Sequence, residues 1–260
     1  MIRIVFLFAL PQEYAGMKQL VGPWGLSTRD PFKSLVHRVP GKELLLVETG
    51  MGRDRMIEAL GWILGKVRPD LVVASGFAGS LTQDLVVGDV CLGEVFASLD
   101  LRSHGETASR IVLEIPIRLA QFCDTQRIRR MLMVTVNQSA PKEPLSKQYE
   151  NTPAIVDMES YFLAESCRQM NLPFLSFRAV SDGLRDEIDF DPAAISNARG
   201  QVKILLVLAS ILRNPRLIGS YFGCWRRSTR AARNLGKGLN AFLNLPPAEL
   251  SGLFFAIDDK

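Results

Sequence analysis

Histidine is scarce in this sequence. The two residues, His37 and His104, lie far apart among 260 and in no ligand-spaced cluster. That disfavours a histidine-based catalytic triad or a His-rich metal site and leaves acid–base chemistry to carboxylates. The four cysteines (Cys91, Cys123, Cys167, Cys224) form no CxxC pair, so neither a disulfide framework nor a zinc site is indicated. Buried thiols in a reducing cytosol are the plainer reading, and the chain is expected to be cytoplasmic. Long apolar runs are missing too: the longest late in the chain, Ile204 to Leu212, is about half of what a membrane span needs. Met1 to Leu10 has one Arg and a short apolar run before Pro11-Gln12-Glu13, and it reads as a first strand rather than a signal peptide. Gly50-Met51-Gly52 lacks the third glycine of a dinucleotide fingerprint, and no Walker sequence is present, which sets NAD and ATP aside. No cofactor and no metal are expected. Finally, acids are absent between Pro192 and Ala248, where nine Lys and Arg stand. Under the overall charge of +4, the rest of the chain therefore carries 22 basic against 27 acidic residues, a net of −5. A basic tail on an acidic body is a statement about partners.

With 47% apolar and 22% charged residues, the chain has the balance of a globular protein and the length to bury a full core. Ile2 to Leu10 and Leu44 to Glu48 read as buried strands. Asp54 to Lys66 reads as a helix, with Met56, Ala59, Leu60, Ile63, Leu64 and Val67 at helical spacing. Strands follow at Leu71 to Ala74, Val86 to Ala97 (bent at Gly93), Met131 to Val136 and Pro173 to Val180. Helices are expected at Met158 to Met170 and Ile195 to Leu212. This alternation implies an α/β fold: one domain with a central mixed β-sheet flanked by helices over 1–215, and a basic helical extension over 216–260.

Ligands of α/β sheets bind outside the carboxyl ends of the strands. Five such ends here carry glycine turns or carboxylates: Leu10-Pro11-Gln12-Glu13, Glu48-Thr49-Gly50-Met51-Gly52, Ser75-Gly76-Phe77-Ala78-Gly79-Ser80, Asp157-Met158-Glu159-Ser160 and Ser181-Asp182-Gly183. One convergent polar pocket follows.

With Arg68-Pro69-Asp70, Val87-Gly88-Asp89-Val90 and Leu172-Pro173-Phe174, these pieces form an ordered set over roughly residues 2 to 210. The set resembles the purine nucleoside phosphorylase/nucleosidase superfamily, and within it the methylthioadenosine/S-adenosylhomocysteine nucleosidases. The Asp-Met-Glu-Ser form with a basic C-terminal extension looks most like the branch associated with hopanoid biosynthesis, which acts on adenosylhopane. The resemblance implies a nucleoside phosphorylase-like fold, a homo-oligomer, and cleavage of the N-glycosidic bond of a 5′-substituted adenosine with release of adenine.

It also implies roles. Asp182 would protonate N7 of the leaving purine, which a carboxylic acid does near neutral pH only where desolvation or a neighbouring carboxylate favours its protonated form. The plain structural alternative for Asp182 is a helix N-cap. Glu13 would hold the attacking water with Arg178 beside it; a first-turn glutamate after Pro11 is also favoured by the helix dipole. Glu159 would accept the ribose 2′- and 3′-hydroxyls, Met158 would lie under the sugar, and Asp157, Phe77, Ala78, Gly79 and Asn137 would complete the substrate site. For Arg178 a structural ion pair with Glu159 or Asp182 is an equal alternative.

The departures from the pattern matter. Phe77 stands where the nucleosidases have a Ser, and Ala74 stands where phosphorylases carry a phosphate-binding Arg. Thr135-Val136-Asn137 replaces the Ser-Gly-Asp end that helps form the base pocket. The first two changes argue against an ordinary phosphate site and, with Glu13, favour water over phosphate as nucleophile; the third bears on the identity of the base. They leave futalosine hydrolysis, and a catalytically impaired nucleoside binder, as alternatives. In the tail, Phe222, Trp225, Ala232, Leu239 and Leu243 lie near one helical face, with Arg226, Arg230, Arg233 and Lys237 on an adjacent one. Such a helix over 218–243 suits peripheral contact with an anionic membrane, or packing on the domain with a solvated basic face. Without a recognised motif, nucleic acid is not an expected partner.

Overall fold

A computed structural model describes residues 1–100, 107–138, 141–150, 152–186, 217–251 and 257–258. The expected helix at Ile195 to Leu212 and the expected boundary at 215/216 lie outside these residues.

The continuous apolar run of β1 (Ile2–Phe8) is buried on both faces, as a central parallel strand must be. It pairs in parallel with β4 (Lys42–Glu48) on one side and β5 (Leu71–Ser80) on the other, and β5 pairs in parallel with β10 (Phe174–Asp182). An antiparallel hairpin, β2 (Gly25–Thr28) and β3 (Lys33–Val39), extends the β4 edge. Beyond β5 the sheet curls. The end of β5 meets β9 (Ala154–Asp157), β9 lies beside β8 (Arg129–Val136), β8 beside β6 (Val90–Leu99), and β6 returns to β10. This ring of strands gathers the ends of β5, β9 and β10 at one place. β7 (Thr107–Leu113) and the short β11 (Ile257–Asp258) continue from β6.

Two strand expectations change. β5 does not stop at Ala74, so Gly76-Phe77-Ala78-Gly79 is strand and not turn; pairing with β10 carries it on to Ser80. β6 begins at Val90 because Val86–Asp89 closes a turn, with the Val86 N–H donating to Asp89 Oδ2. The bend expected at Gly93 is present as a register shift against β8 between Gly93 and Val95.

Helices cover both faces. α2 (Arg53–Leu64) and α5 (Ser160–Gln169) lie on one, with Met56, Ala59, Leu60 and Ile63 buried as their spacing predicts. On the other lie α1 (Pro11–Leu20), α3 (Ile117–Gln126) and α6 (Leu217–Leu243). α4 (Lys142–Gln148) and α7 (Pro247–Ser251) are short. No helix among the described residues is long and apolar enough to cross a membrane.

The expected amphipathic face of the tail divides in two. Ala231, Leu235, Leu239 and Phe242 are fully buried in the same core as β1 and β10, so the C-terminal half of α6 belongs to the domain. Three such large side chains bring roughly 2 kcal/mol each, which outweighs the roughly 1 kcal/mol cost of a mid-helix glycine. Gly236 is there for packing: a Cβ on it would run into the backbone of Gly16 and Met17, where α1 crosses α6. Lys42 is buried, and its ammonium caps the C-terminal carbonyls of Leu243 and Leu245. Phe222 and Trp225, by contrast, are 57% and 62% exposed.

Candidate active site

The strand ends and the α1 and α5 N-termini bring four of the expected charged residues together. Glu13 sits in the first turn of α1, behind Pro11. Its Oε2 accepts from the Leu10 N–H at 2.9 Å, and its Oε1 accepts from the Phe77 N–H on β5 at 2.9 Å. The helix-terminus role and the site role thus coincide in one side chain. Burial pushes its carboxyl up to about 7, against the lowering pull of Arg178 and the two N–H groups.

Arg178, in the middle of β10, is among the largest fully buried side chains of the described residues. Its Nη2 lies 2.8 Å from Asp157 Oδ2, a charge contact outside hydrogen-bond alignment, and 3.5 Å from Glu159 Oε2. Its Nε donates to Ser160 Oγ at 3.1 Å, and Ser160 Oγ meets Ser176 Oγ at 2.8 Å. Burial works against its charge, but Asp157, Glu159 and Glu13 more than offset this and raise its pKa. Of the two partners proposed for a structural pair, Glu159 is therefore present; Asp182 pairs elsewhere.

Asp157 ends β9. Its Oδ1 accepts from the Thr135 hydroxyl at 2.6 Å, and its Oδ2 from the Ser160 N–H at 3.1 Å. These contacts, with Arg178, make it an anchor of the guanidinium. Glu159 is the N-cap residue of α5, and its Oε1 accepts from the Gly52 N–H at 3.0 Å. The Gly50-Met51-Gly52 turn makes this approach with left-handed φ values of 85° and 92° at its two glycines. Burial raises the Glu159 pKa, opposed by Arg178 and reinforced by Asp157. Met158 is half-buried beside this group.

Gly76 is the space-maker of the cluster. A Cβ there would lie 2.5 Å from Glu13 Oε1 and 2.7 Å from Arg178 Nη1. Phe77 is half-buried and contributes its N–H, and Ala78 is buried. Gly79 makes the corresponding space at the other end, where a Cβ would meet Asp182 Oδ2 at 2.8 Å.

Asp182 ends β10 as strand, not as a helix N-cap. Of the two conditions named for the acid role, it is buried, but its charged neighbour is an ammonium and not a carboxylate: Lys142 Nζ lies 2.6 Å from Asp182 Oδ2, both residues buried. Lys142 escaped the sequence reading because α4 has no apolar periodicity to mark an inward side. Asn137 is exposed, and its amide donates to Asp100 at 2.9 Å; among the described residues it joins neither charged group.

The site thus has two ends on the β5–β10 pair, set by Gly76 and Gly79 and ~10 Å apart along the strand. One end holds a near-neutral carboxyl beside a fixed cation, the chemistry of a general base that takes a proton from water. The other holds a carboxylate paired with an ammonium.

Comparisons agree with this architecture. The 5′-methylthioadenosine/S-adenosylhomocysteine nucleosidase of Staphylococcus saprophyticus is 26% identical over 188 residues, 62% of this chain and 81% of that protein. The crystal structure of a nucleosidase of that name from Neisseria meningitidis, in complex with methylthio-immucillin-A, superposes with a TM-score of 0.66 at 19% identity, covering 94% of this chain and 99% of that one. The futalosine hydrolase of Helicobacter pylori superposes with a TM-score of 0.66 at 15% identity, covering 94% and 97%. The phosphorylase superfamily is matched over residues 3–212, and the chain belongs to that superfamily.

Proposed function

We propose that the protein hydrolyses the N-glycosidic bond of a 5′-substituted adenosine and releases adenine. The observation that carries this reading is Glu13: a buried carboxyl pushed up to about 7, clamped by two backbone N–H groups and set beside Arg178. Such a group accepts the proton of an attacking water near neutral pH. Glu159, held by Gly52, accepts the ribose hydroxyls and fixes the sugar between water and base. As the C1′–N9 bond breaks, its electron pair moves into the purine, and Asp182 passes a proton to N7 while water oxygen bonds to C1′. The relatives named as nucleosidases and as a futalosine hydrolase support cleavage of this bond class. Water is favoured over phosphate because Ala74, at the position of the phosphorylases' Arg, is fully buried and uncharged.

The 5′ group we propose is large and apolar, with adenosylhopane the candidate substrate and peripheral membrane contact through 218–243. Support comes from α6. Phe222 and Trp225 are exposed with ring centroids 6.0 Å apart. They stand on the stretch of α6 whose Arg227 Nη1 lies 3.9 Å from Asp186 Oδ1, four residues past Asp182, and a membrane-derived substrate would enter along this stretch.

Chromatographic detection of free base tests the reading, with and without phosphate, on methylthioadenosine, S-adenosylhomocysteine, futalosine, inosine and adenosylhopane. Adenine release without phosphate, fastest from adenosylhopane, is expected. Release only with phosphate overturns hydrolysis. Tight binding of one nucleoside with no release from any overturns catalysis and makes the protein a binder.

A further inference from the structure

The base end holds a lysine that the reaction as written does not use. Lys142 is the first residue of α4, 7% exposed, with its ammonium 2.6 Å from Asp182 Oδ2 and also donating to the Gly183 carbonyl. The other carboxylate oxygen, Oδ1, accepts from the Ser181 hydroxyl at 2.6 Å. Both carboxylate oxygens of Asp182 thus sit against a polar partner, one a hydroxyl and one an ammonium. A departing purine must be protonated to leave as a neutral base. The transferable proton nearest to Asp182 Oδ2 is on Lys142 Nζ.

The surroundings are built for this pair. Gly79 leaves it room: a Cβ there would stand 2.8 Å from Asp182 Oδ2 and 3.3 Å from Lys142 Cδ. The pair is screened from water, which makes it costly as a mere stabilising device, since a buried ion pair seldom outperforms apolar packing. The other ionisable groups facing it are Cys224 from α6 and, past Gly183, Asp186, whose Oδ1 is 3.9 Å from Arg227 Nη1. Burial pushes the Cys224 thiol up, and an arginine does not deprotonate, so neither is a comparable donor.

We propose that Lys142 is the proton-supplying partner of Asp182, a positioning residue that acts on the leaving base only through that carboxylate. In the step, the Nζ–H bond breaks as an O–H bond forms at Asp182 Oδ2. That O–H then breaks as N7–H forms, while the C1′–N9 electron pair moves into the purine. The base departs neutral, Asp182 is again a carboxylate, and Lys142 is left as an amine that regains its proton from solvent. The proton taken from water by Glu13 balances it. This rests on the N-glycosidic cleavage proposed above.

The test compares two leaving groups in the full-length protein. One substrate is the preferred 5′-substituted adenosine. The other is the matching 4-nitrophenyl riboside, whose phenolate leaves without a proton. Lys142→Met is expected to lower kcat on the adenosine by about 100-fold, within the usual range for general acid catalysis, and to leave the nitrophenyl riboside within about twofold. Lys142→Arg keeps the ion pair but holds its protons, so it is expected to fail on the adenosine as the Met variant does and to spare the riboside. Equal losses on both substrates would overturn the proposal in favour of a structural role. So would an Arg variant that restores adenosine cleavage, which requires only a charge, or a Met variant at wild-type rate. A wild type that cleaves no purine nucleoside overturns the function itself, so the two failures are distinguishable.

Discussion

The two ends of the site solve opposite problems. At the water end, one guanidinium holds Asp157 and Glu159 and attracts Glu13, and each of these carboxylates is also held by at least one backbone N–H. Every member is fixed from several directions, and Glu13, excess negative charge among apolar walls, is driven toward its protonated form. The base end is a single carboxylate between one ammonium and one hydroxyl, at the tip of a strand. The first arrangement holds charge still, and the second leaves a proton free to move. Perturbations should therefore be severe at the water end and selective at the base end.

The largest effect is expected from Arg178→Met. It removes the only cation in contact with Asp157 and Glu159 among the described residues, so buried carboxylates lose their counter-charge. Breaking such a pair costs about 3–5 kcal/mol. Chemical denaturation would read this, together with loss of adenine release; a variant within 1 kcal/mol of wild type, on the order of an exposed pair, would show that the network is not what holds this end.

Glu13→Gln comes next, and its sign is opposite for stability and activity. The folded-state pKa is raised from 4.5 to about 7. The stability linked to this proton is fully present below about 4.5 and is lost as pH rises through about 7. Gln removes that loss, so the variant should be more stable than wild type at pH 8, by up to about 3 kcal/mol, with no gain at pH 4. Wild-type kcat/KM should rise with pH through about 7 as the base ionises, and the variant should lose that limb with most of its turnover. Equal stability of the two proteins at pH 8 would refute the buried-carboxyl account.

The glycines sharpen the contrast. A methyl at Gly76 meets Glu13 Oε1 and Arg178 Nη1, neither of which is free to move, so Gly76→Ala should cost about 3 kcal/mol, the upper end for overpacking. At Gly79 the methyl meets Asp182 Oδ2, Val156 Cγ1 and the flexible Lys142 stem, and the same change should cost about 1 kcal/mol. Thermal unfolding of both variants side by side checks this; the reverse order would contradict the reading of the two ends.

How far the sequence discloses this site depends on what each residue does locally. β1, β4, α2, β8, α5 and β10 were legible because burial on one or two faces writes itself as an apolar run or a 3.6-residue period. The β2–β3 hairpin was not: Gly25–Thr28 is an edge strand, mostly exposed, with no alternation to read. Glu13, Asp157, Glu159, Arg178 and Asp182 are legible as motif members, but apart from the Arg178–Glu159 pair their partners are not. Asp157 reads as a member of the substrate site, and nothing in its motif announces Thr135, Ser160 and Arg178 as its neighbours. Lys142 stands in Lys-Glu-Pro-Leu-Ser-Lys-Gln, which looks like a solvated surface turn. Only the closure of β5, β9 and β10 turns its side chain inward.

The smallest effect on the fold is expected at the border of the base end, in the exposed half of α6. Leu235, Leu239 and Phe242 anchor the helix, so replacing Phe222 and Trp225 together by Ser should change stability by no more than about 0.5 kcal/mol, as at ordinary surface positions. Turnover of a water-soluble substrate such as methylthioadenosine should also stay at the wild-type level, because neither ring belongs to the charged groups at either end. What should fall is co-sedimentation with phosphatidylglycerol vesicles, and with it cleavage of adenosylhopane presented in those vesicles. The basic side chains Arg226, Arg230 and Arg233 remain in the variant, so any binding left must weaken with salt, whereas the part carried by the aromatics does not. If the double variant sediments like wild type at high salt, the exposed pair is not a membrane contact, and the apolar 5′ group proposed for the substrate loses its support from this helix.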